Sequence, residues 1–319
     1  MIYINYFPIS HYLLNSFIIE QFPFIDIVML TIKHIPDYLK LIRFDKPIGT
    51  LLLLWPTLWA LWIASSGMPK ISLIIIFTLG VFIMRSAGCV MNDIADKDFD
   101  PHVERTKDRP LAAKSITLRE AYGVLLLFIG IAFILALFLS WKTVLLSIPA
   151  LVIALSYPFA KRFHSLPQAH LGIAFSFGIP MAFMEITGEL PLEAYLIFVT
   201  NICWTLVYDT EYAMSDREDD KFINIKSSAL LFESLLGAKD YWIIIGLQTI
   251  VVTCLITLGI YAHYSSIIWG ITLLIVIALF IYHVQLIKDH DRLKCFKAFL
   301  HNNWVGAAIF IGLVIEYSF

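Results

Sequence analysis

Apolar residues along this chain run in long blocks, not at every second position as in strands. Nine blocks reach or approach the roughly 20 residues that a helix needs to cross a bilayer. They lie near 47–65, 71–91, 121–141, 143–160, 169–187, 194–213, 241–262, 265–287 and 303–318. The windows 121–141 and 241–262 are the cleanest, flanked only by Lys142 and Asp240; the fifth, sixth and ninth are shorter. Pro56, Pro149 and Pro180 fall inside blocks, which packed membrane helices tolerate. The pattern predicts an all-α, polytopic membrane protein.

The basic residues give the expected orientation. Of the 23 Lys and Arg, 20 fall before the first block or in the connections after blocks two, four, six and eight. Lys70 and Lys142 alone lie on the other side, and Arg85 lies inside a block. The positive-inside rule makes the 20-residue side cytoplasmic and places the N-terminus there. Residues 33–46 form a basic amphipathic segment suited to the membrane surface. Residues 1–32 are apolar, contain Pro8, Glu20, Pro23 and Asp26, and lack the positive start and cleavage site of a signal peptide. They are read as an N-terminal extension, with Met29 a candidate native start, before a single intramembrane domain over 33–319.

Composition agrees. The 319 residues are 59% hydrophobic and 15% charged, with mean hydropathy +0.80, against about 45–50% and about 25% for soluble domains. A net charge of −2 leaves no basic excess for nucleic acid. Cys89, Cys203, Cys254 and Cys295 form no CxxC pair, so zinc and dithiol chemistry lack support.

The informative residues are acids at block ends. The second block runs into Asn92, Asp93, Asp96 and Asp100, which on a continuous helix share a face of about 100° together with Arg85 and Cys89. The sixth runs into Asp209, Tyr212, Asp216 and Asp220, within about 80° of one another. Both clusters end on the cytoplasmic side, so they open at one mouth of the bundle. Carboxylates at a helix C-terminus oppose the macrodipole, and intramembrane acids are costly unless paired. A divalent cation would offset that cost, and oxygen-only ligands favour Mg²⁺ or Mn²⁺. Arg105, Arg109, Lys161 and Arg162 flank the clusters and suit a diphosphate. Arg85 either pairs with Asp93 or Asp96 or holds a substrate anion. A substrate with a metal-bound diphosphate head and an apolar tail, such as a long isoprenoid, fits a mouth of this kind in lipid.

The spacing Asn92-Asp93-x-x-Asp96-x-x-x-Asp100 with Asp209-x-x-Tyr212-x-x-x-Asp216 resembles the UbiA-type intramembrane prenyltransferases. Segments 41–50, 51–61, 105–111, 208–220 and 225–227 are similar to bacterial members that prenylate 4-hydroxybenzoate, and the resemblance covers about residues 33–319. It implies nine helices around a central cavity open to the cytoplasmic side of the bacterial inner membrane. It also implies Mg²⁺ as cofactor, with polyprenyl diphosphate and 4-hydroxybenzoate as substrates in ubiquinone biosynthesis. Carried onto this sequence, Asn92, Asp93, Asp96 and Asp100 face Asp216 and Asp220 and hold Mg²⁺–diphosphate. Arg105, Arg109, Lys161 and Arg162 supplement that grip. Asp209 accepts a hydrogen bond from the phenol with Tyr212 nearby, and Arg43 is the candidate for the aromatic carboxylate, with Arg85 competing. Glu211 turns about 160° from the site face and is given no role. A haem O synthase of the same superfamily and a cation-coupled transporter are the competing readings, although transporter acids sit nearer the midplane.

Overall fold

The computed structural model describes residues 30–102, 106–222 and 225–318, and these contain helices and turns but no strand. The expectations for residues 1–29 lie outside them. A short helix, α1 (Ile35–Leu41), precedes α2 (Ile48–Ala64), α3 (Ile71–Asp96), α4 (Leu118–Ala136) and α5 (Trp141–Phe163). There follow α6 (Pro167–Ser176), α7 (Gly178–Ile186), α8 (Leu192–Phe222), α9 (Ser228–Leu236), α10 (Tyr241–Tyr261), α11 (Ser266–Ile287) and α12 (Arg292–Glu316).

Seven spans among the described residues are long and apolar enough to cross a membrane: α3, α4, α5, α6 with α7, α10, α11 and α12. Two more helices complete the nine blocks. α2 is apolar but only 17 residues long. α8 has 31 residues and buries polar Thr200, Asn201, Thr205, Thr210 and Glu211 inside the bundle, so these groups avoid lipid. The chain is therefore a multi-pass membrane protein.

Three boundaries differ from expectation for physical reasons. The first acidic run is not one helix: α3 ends at Asp96, and Asp100 opens a separate 3-10 turn, Asp100–His102. Asp100 precedes Pro101, which disfavours helical backbone there, and the acids Asp96, Asp98 and Asp100 oppose the macrodipole. The ninth block begins earlier, at Arg292. Arg292, Lys294, Lys297 and His301 dilute its hydropathy, while Cys295, Ala298, Asn302, Val305 and Ile309 stay buried at helical spacing. The fifth block is broken between Ser176 and Gly178, because Pro180 has no N–H to return to Ser176.

In a bilayer, polar pairs and close-packed small residues hold helices together, since lipid removes most of the hydrophobic drive between them. Trp204 donates to Asn302 at 2.9 Å, Asn302 to Glu211 at 2.6 Å, Trp55 to Asn303 at 2.8 Å and Asn201 to Ser176 at 2.9 Å. Trp59 reaches the carbonyl of Gly306 at 3.0 Å, and a Cβ there would meet Trp55 at 2.3 Å. At the opposite margin, α1 exposes Ile35 and Leu39, with Ile32 and Phe44 exposed on either side, as expected of an interfacial helix. Thr117 and Glu120 form a capping box at the start of α4. Glu120 also accepts from Tyr38 at 2.6 Å and contacts His34 at 2.6 Å, which pins α1 to α4.

Candidate active site

One cavity of about 1050 Å³ runs into the bundle. Its body is apolar, with Leu52, Phe77, Leu126, Phe133, Leu151 and Phe175 among its walls. Its mouth is charged, lined by Lys40, Arg43, Arg85, Asn92, Asp93, Arg109, Asp209 and Tyr212. The two acidic helices thus face one space. Tyr157, on α5, is close enough to interact electrostatically with both Asp96 and Asp209. Asp216 and Asp220 lie outside the cavity wall but near enough for their charges to act on Asp209.

The first cluster is laced with cations. Arg43 Nη2 donates to Asp93 Oδ1 at 2.6 Å, and Arg109 Nη1 reaches the same oxygen at 3.1 Å and Asp100 Oδ2 at 2.9 Å. Arg43 has φ +56° and also donates to the carbonyls of Lys40 and Leu41. The turn after α1 therefore aims its side chain inward. Asp96 Oδ2 accepts from Asn92 Nδ2 at 3.2 Å and from Lys161 Nζ. Burial pushes the Asp100 carboxyl up, partly countered by the Arg109 guanidinium beside it.

Among the described residues, no three His, Cys, Asp or Glu side chains converge to hold a metal alone. Two buried carboxylate oxygens, Asp93 Oδ2 and Asp96 Oδ1, have no hydrogen-bond partner. That donor set fits Mg²⁺, which commonly takes one or two carboxylates and completes its shell with phosphate oxygens and water.

Other residues singled out from sequence are placed differently. Arg162 turns away from the cavity. It donates to the Ala95 carbonyl at the end of α3 and lies between the Phe99 and Phe159 rings at 5.5 and 5.4 Å, so it caps a helix. Arg105 lies outside the described residues. Arg85 does not pair with Asp93 or Asp96. It donates to the Ile42 carbonyl at 3.2 Å, lines the cavity, and has no ion-pair partner among the described residues. Arg43, by contrast, is committed to Asp93. Tyr212 packs on Phe299 at 4.9 Å between centroids. Glu211 is buried away from the cavity against Asn302.

Sequence reasoning missed Tyr157 as a wall residue, although it stands four before Lys161 and shares its helix face. It also missed Arg292, whose Nη2 donates to Asp219 Oδ2 at 2.8 Å and lies 3.9 Å from Asp216 Oδ1. The signal was its place at the start of an amphipathic helix end.

Known proteins are similar to this chain in sequence and in fold. The 4-hydroxybenzoate octaprenyltransferase of Aromatoleum aromaticum is 51% identical over 288 residues, spanning 89% of this chain and 95% of its own. That of Colwellia psychrerythraea is 52% identical over 282 residues, spanning 88% and 96%. Among solved structures, the apo UbiA homologue from Aeropyrum pernix K1 superposes with TM-score 0.71 at 26% identity, covering 84% of this chain and 98% of that one. A UbiA homologue from Archaeoglobus fulgidus, bound to GPP and Mg²⁺, shares the fold with TM-score 0.66 at 17% identity, covering 89% and 100%. With residues 53–306 matching the UbiA prenyltransferase family, the chain belongs to that family.

Proposed function

We propose that this protein transfers a polyprenyl group from polyprenyl diphosphate to the ring carbon ortho to the hydroxyl of 4-hydroxybenzoate, releasing diphosphate, in ubiquinone biosynthesis. Its domain, residues 33–319, sits in the bacterial inner membrane with its mouth toward the cytoplasm. The observation that carries the reading is a cavity that is apolar in its body and lined at its mouth by acids together with Arg43, Arg85 and Arg109. The near 50% identity to 4-hydroxybenzoate octaprenyltransferases supports the choice of acceptor.

Asn92, Asp93, Asp96 and Asp100 on one side and Asp216 and Asp220 on the other would hold Mg²⁺. When bound, the ion stabilises the negative charge that develops on the departing diphosphate. Arg109 and Lys161 turn from their carboxylates to the diphosphate oxygens as the head group enters, and Arg105 adds to that grip. Arg85, a cavity guanidinium with no ion-pair partner among the described residues, receives the carboxylate of 4-hydroxybenzoate in preference to Arg43, and Arg43 orders Asp93. Asp209 accepts the phenol hydrogen bond and raises electron density at the ortho carbon, beside Tyr212. The allylic C–O bond breaks and its electron pair leaves with diphosphate. The aromatic ring attacks the allylic carbon, and the ring proton passes to a base, the released diphosphate being the nearest.

The test is turnover in washed membranes lacking other prenyltransferases, supplied with 4-hydroxybenzoate and prenyl diphosphates of several lengths. Prenylated 4-hydroxybenzoate that is lost with EDTA and restored by Mg²⁺ is the expected product. Prenylation of haem B, or no diphosphate release, overturns the reading.

A further inference from the structure

Asp240 is fully buried, and both of its oxygens are engaged. Oδ2 takes Arg217 Nη2 at 2.5 Å and Oδ1 meets His290 Nε2 at 2.8 Å. Arg217 is buried as well, and its Nη1 lies 3.8 Å from Glu233 Oε1. A buried ion pair adds little net stability, because desolvation offsets most of the attraction; its best-attested use is to fix a register. Here the pair joins the end of α8 to the residue preceding α10, and His290 adds the turn between α11 and α12. Within that turn His290 adopts φ +56°, a left-handed conformation uncommon for a residue other than glycine. From its other side Arg292 reaches Asp219 at 2.8 Å. Lys221 binds Glu233 of α9 at 3.2 Å. None of these residues lines the cavity.

The end of α8 needs such an anchor. Asp216, Glu218, Asp219 and Asp220 crowd four acids into the last turns of a helix, where like charges repel and the macrodipole is opposed. Left alone, this stretch would fray or rotate, and Asp216 and Asp220 would lose their shared face.

We propose that Asp240, acting through Arg217, is a positioning residue. It sets the rotation of the end of α8 so that Asp216 and Asp220 face the first acidic cluster. The inference rests on the reading that those two carboxylates hold a divalent ion with the diphosphate. Glu233 and His290 are titratable groups on the pair, and Arg292 lies 3.9 Å from Asp216.

The test uses purified full-length enzyme in lipid nanodiscs, with Mn²⁺ standing for Mg²⁺ and inorganic diphosphate as the anion, bound Mn²⁺ being read by EPR without turnover. Asp240→Asn is expected to weaken Mn²⁺ binding by about 10–100-fold, the range for residues that orient metal ligands. The Mg²⁺ concentration for half-maximal rate should rise by a similar factor while KM for 4-hydroxybenzoate stays within about twofold. Arg217→Lys, which keeps the charge but loses the fork, serves if Asp240→Asn does not fold, and is expected to weaken Mn²⁺ by about tenfold. A folded Asp240→Asn or Arg217→Lys with wild-type Mn²⁺ affinity, beside an Asp216→Asn control that binds weakly, overturns the proposal and leaves the metal reading standing. If Asp216→Asn also binds Mn²⁺ as wild type does, the metal reading itself fails, and the proposal falls with it.

Discussion

Gly49 lies directly against Arg85: a Cβ added at Gly49 would sit 2.8 Å from Arg85 Nη2 and 2.9 Å from Nε. The missing side chain on α2 leaves the space into which the guanidinium of α3 folds. Gly49→Ala is therefore expected to push Arg85 off its position and raise KM for 4-hydroxybenzoate by about 10–100-fold, the value of a charge-assisted hydrogen bond or two. KM for the prenyl diphosphate should move little. Arg85→Ala should give the same signature and Arg43→Ala a different one, since Arg43 pairs with Asp93 of the proposed metal site. Initial-rate kinetics with each substrate varied in turn decide the matter.

Much of this was legible in the sequence, and the limits have physical causes. The helical spans were legible because lipid forces long apolar blocks. Asp209, Tyr212, Asp216 and Asp220 were correctly grouped because α8 runs unbroken to Phe222. Asp100 was misassigned to the face of α3 because helical phase says nothing beyond the residue where the helix stops. The division of labour between Arg43 and Arg85 was not legible. It depends on a left-handed residue at 43 and on side-chain contacts between segments about 40–50 positions apart.

Asp96 carries both a lysine partner and an unpartnered buried oxygen. Asp96→Ala removes a proposed metal ligand and leaves Lys161 without its carboxylate. The expected outcome is a fall in turnover of at least about 10²-fold at saturating substrate. Raising Mg²⁺ should not restore it. Full remaining turnover of Asp96→Ala in washed membranes would refute the metal role.

Asp209 stands in the cavity wall beside Tyr212, at the place assigned to the phenol. Asp209→Asn keeps the shape but loses the carboxylate proposed to activate the ring. A loss of about 10²–10⁴-fold in kcat is expected, the usual contribution of a positioned general base or hydrogen-bond acceptor. Mn²⁺ and diphosphate binding should be nearly unchanged. Equal loss of metal binding would instead move Asp209 into the ion's own ligand set.

Glu120 joins the interfacial helix to the bundle. One carboxylate serves the backbone N–H and hydroxyl of Thr117, the Tyr38 hydroxyl and the His34 ring. Glu120→Ala removes the reciprocal half of a capping box and strands Tyr38 of α1 and His34 just before it. The N-cap Thr117 stays in place and only the bonds to the Glu120 carboxylate are lost, at about 0.5–1.5 kcal/mol each, so the thermal midpoint of the purified protein should fall by a few degrees. The larger effect should be local. With α1 released, the turn that carries Arg43 loses its fixed origin, and the contact between Arg43 and Asp93 weakens. Limited proteolysis should then cut between residues 30 and 47 in Glu120→Ala while sparing the spans, and added Mg²⁺ and prenyl diphosphate should protect the site less than in wild type. A variant whose 30–47 segment resists protease as wild type does would show that α1 is held by the bilayer surface and not by Glu120.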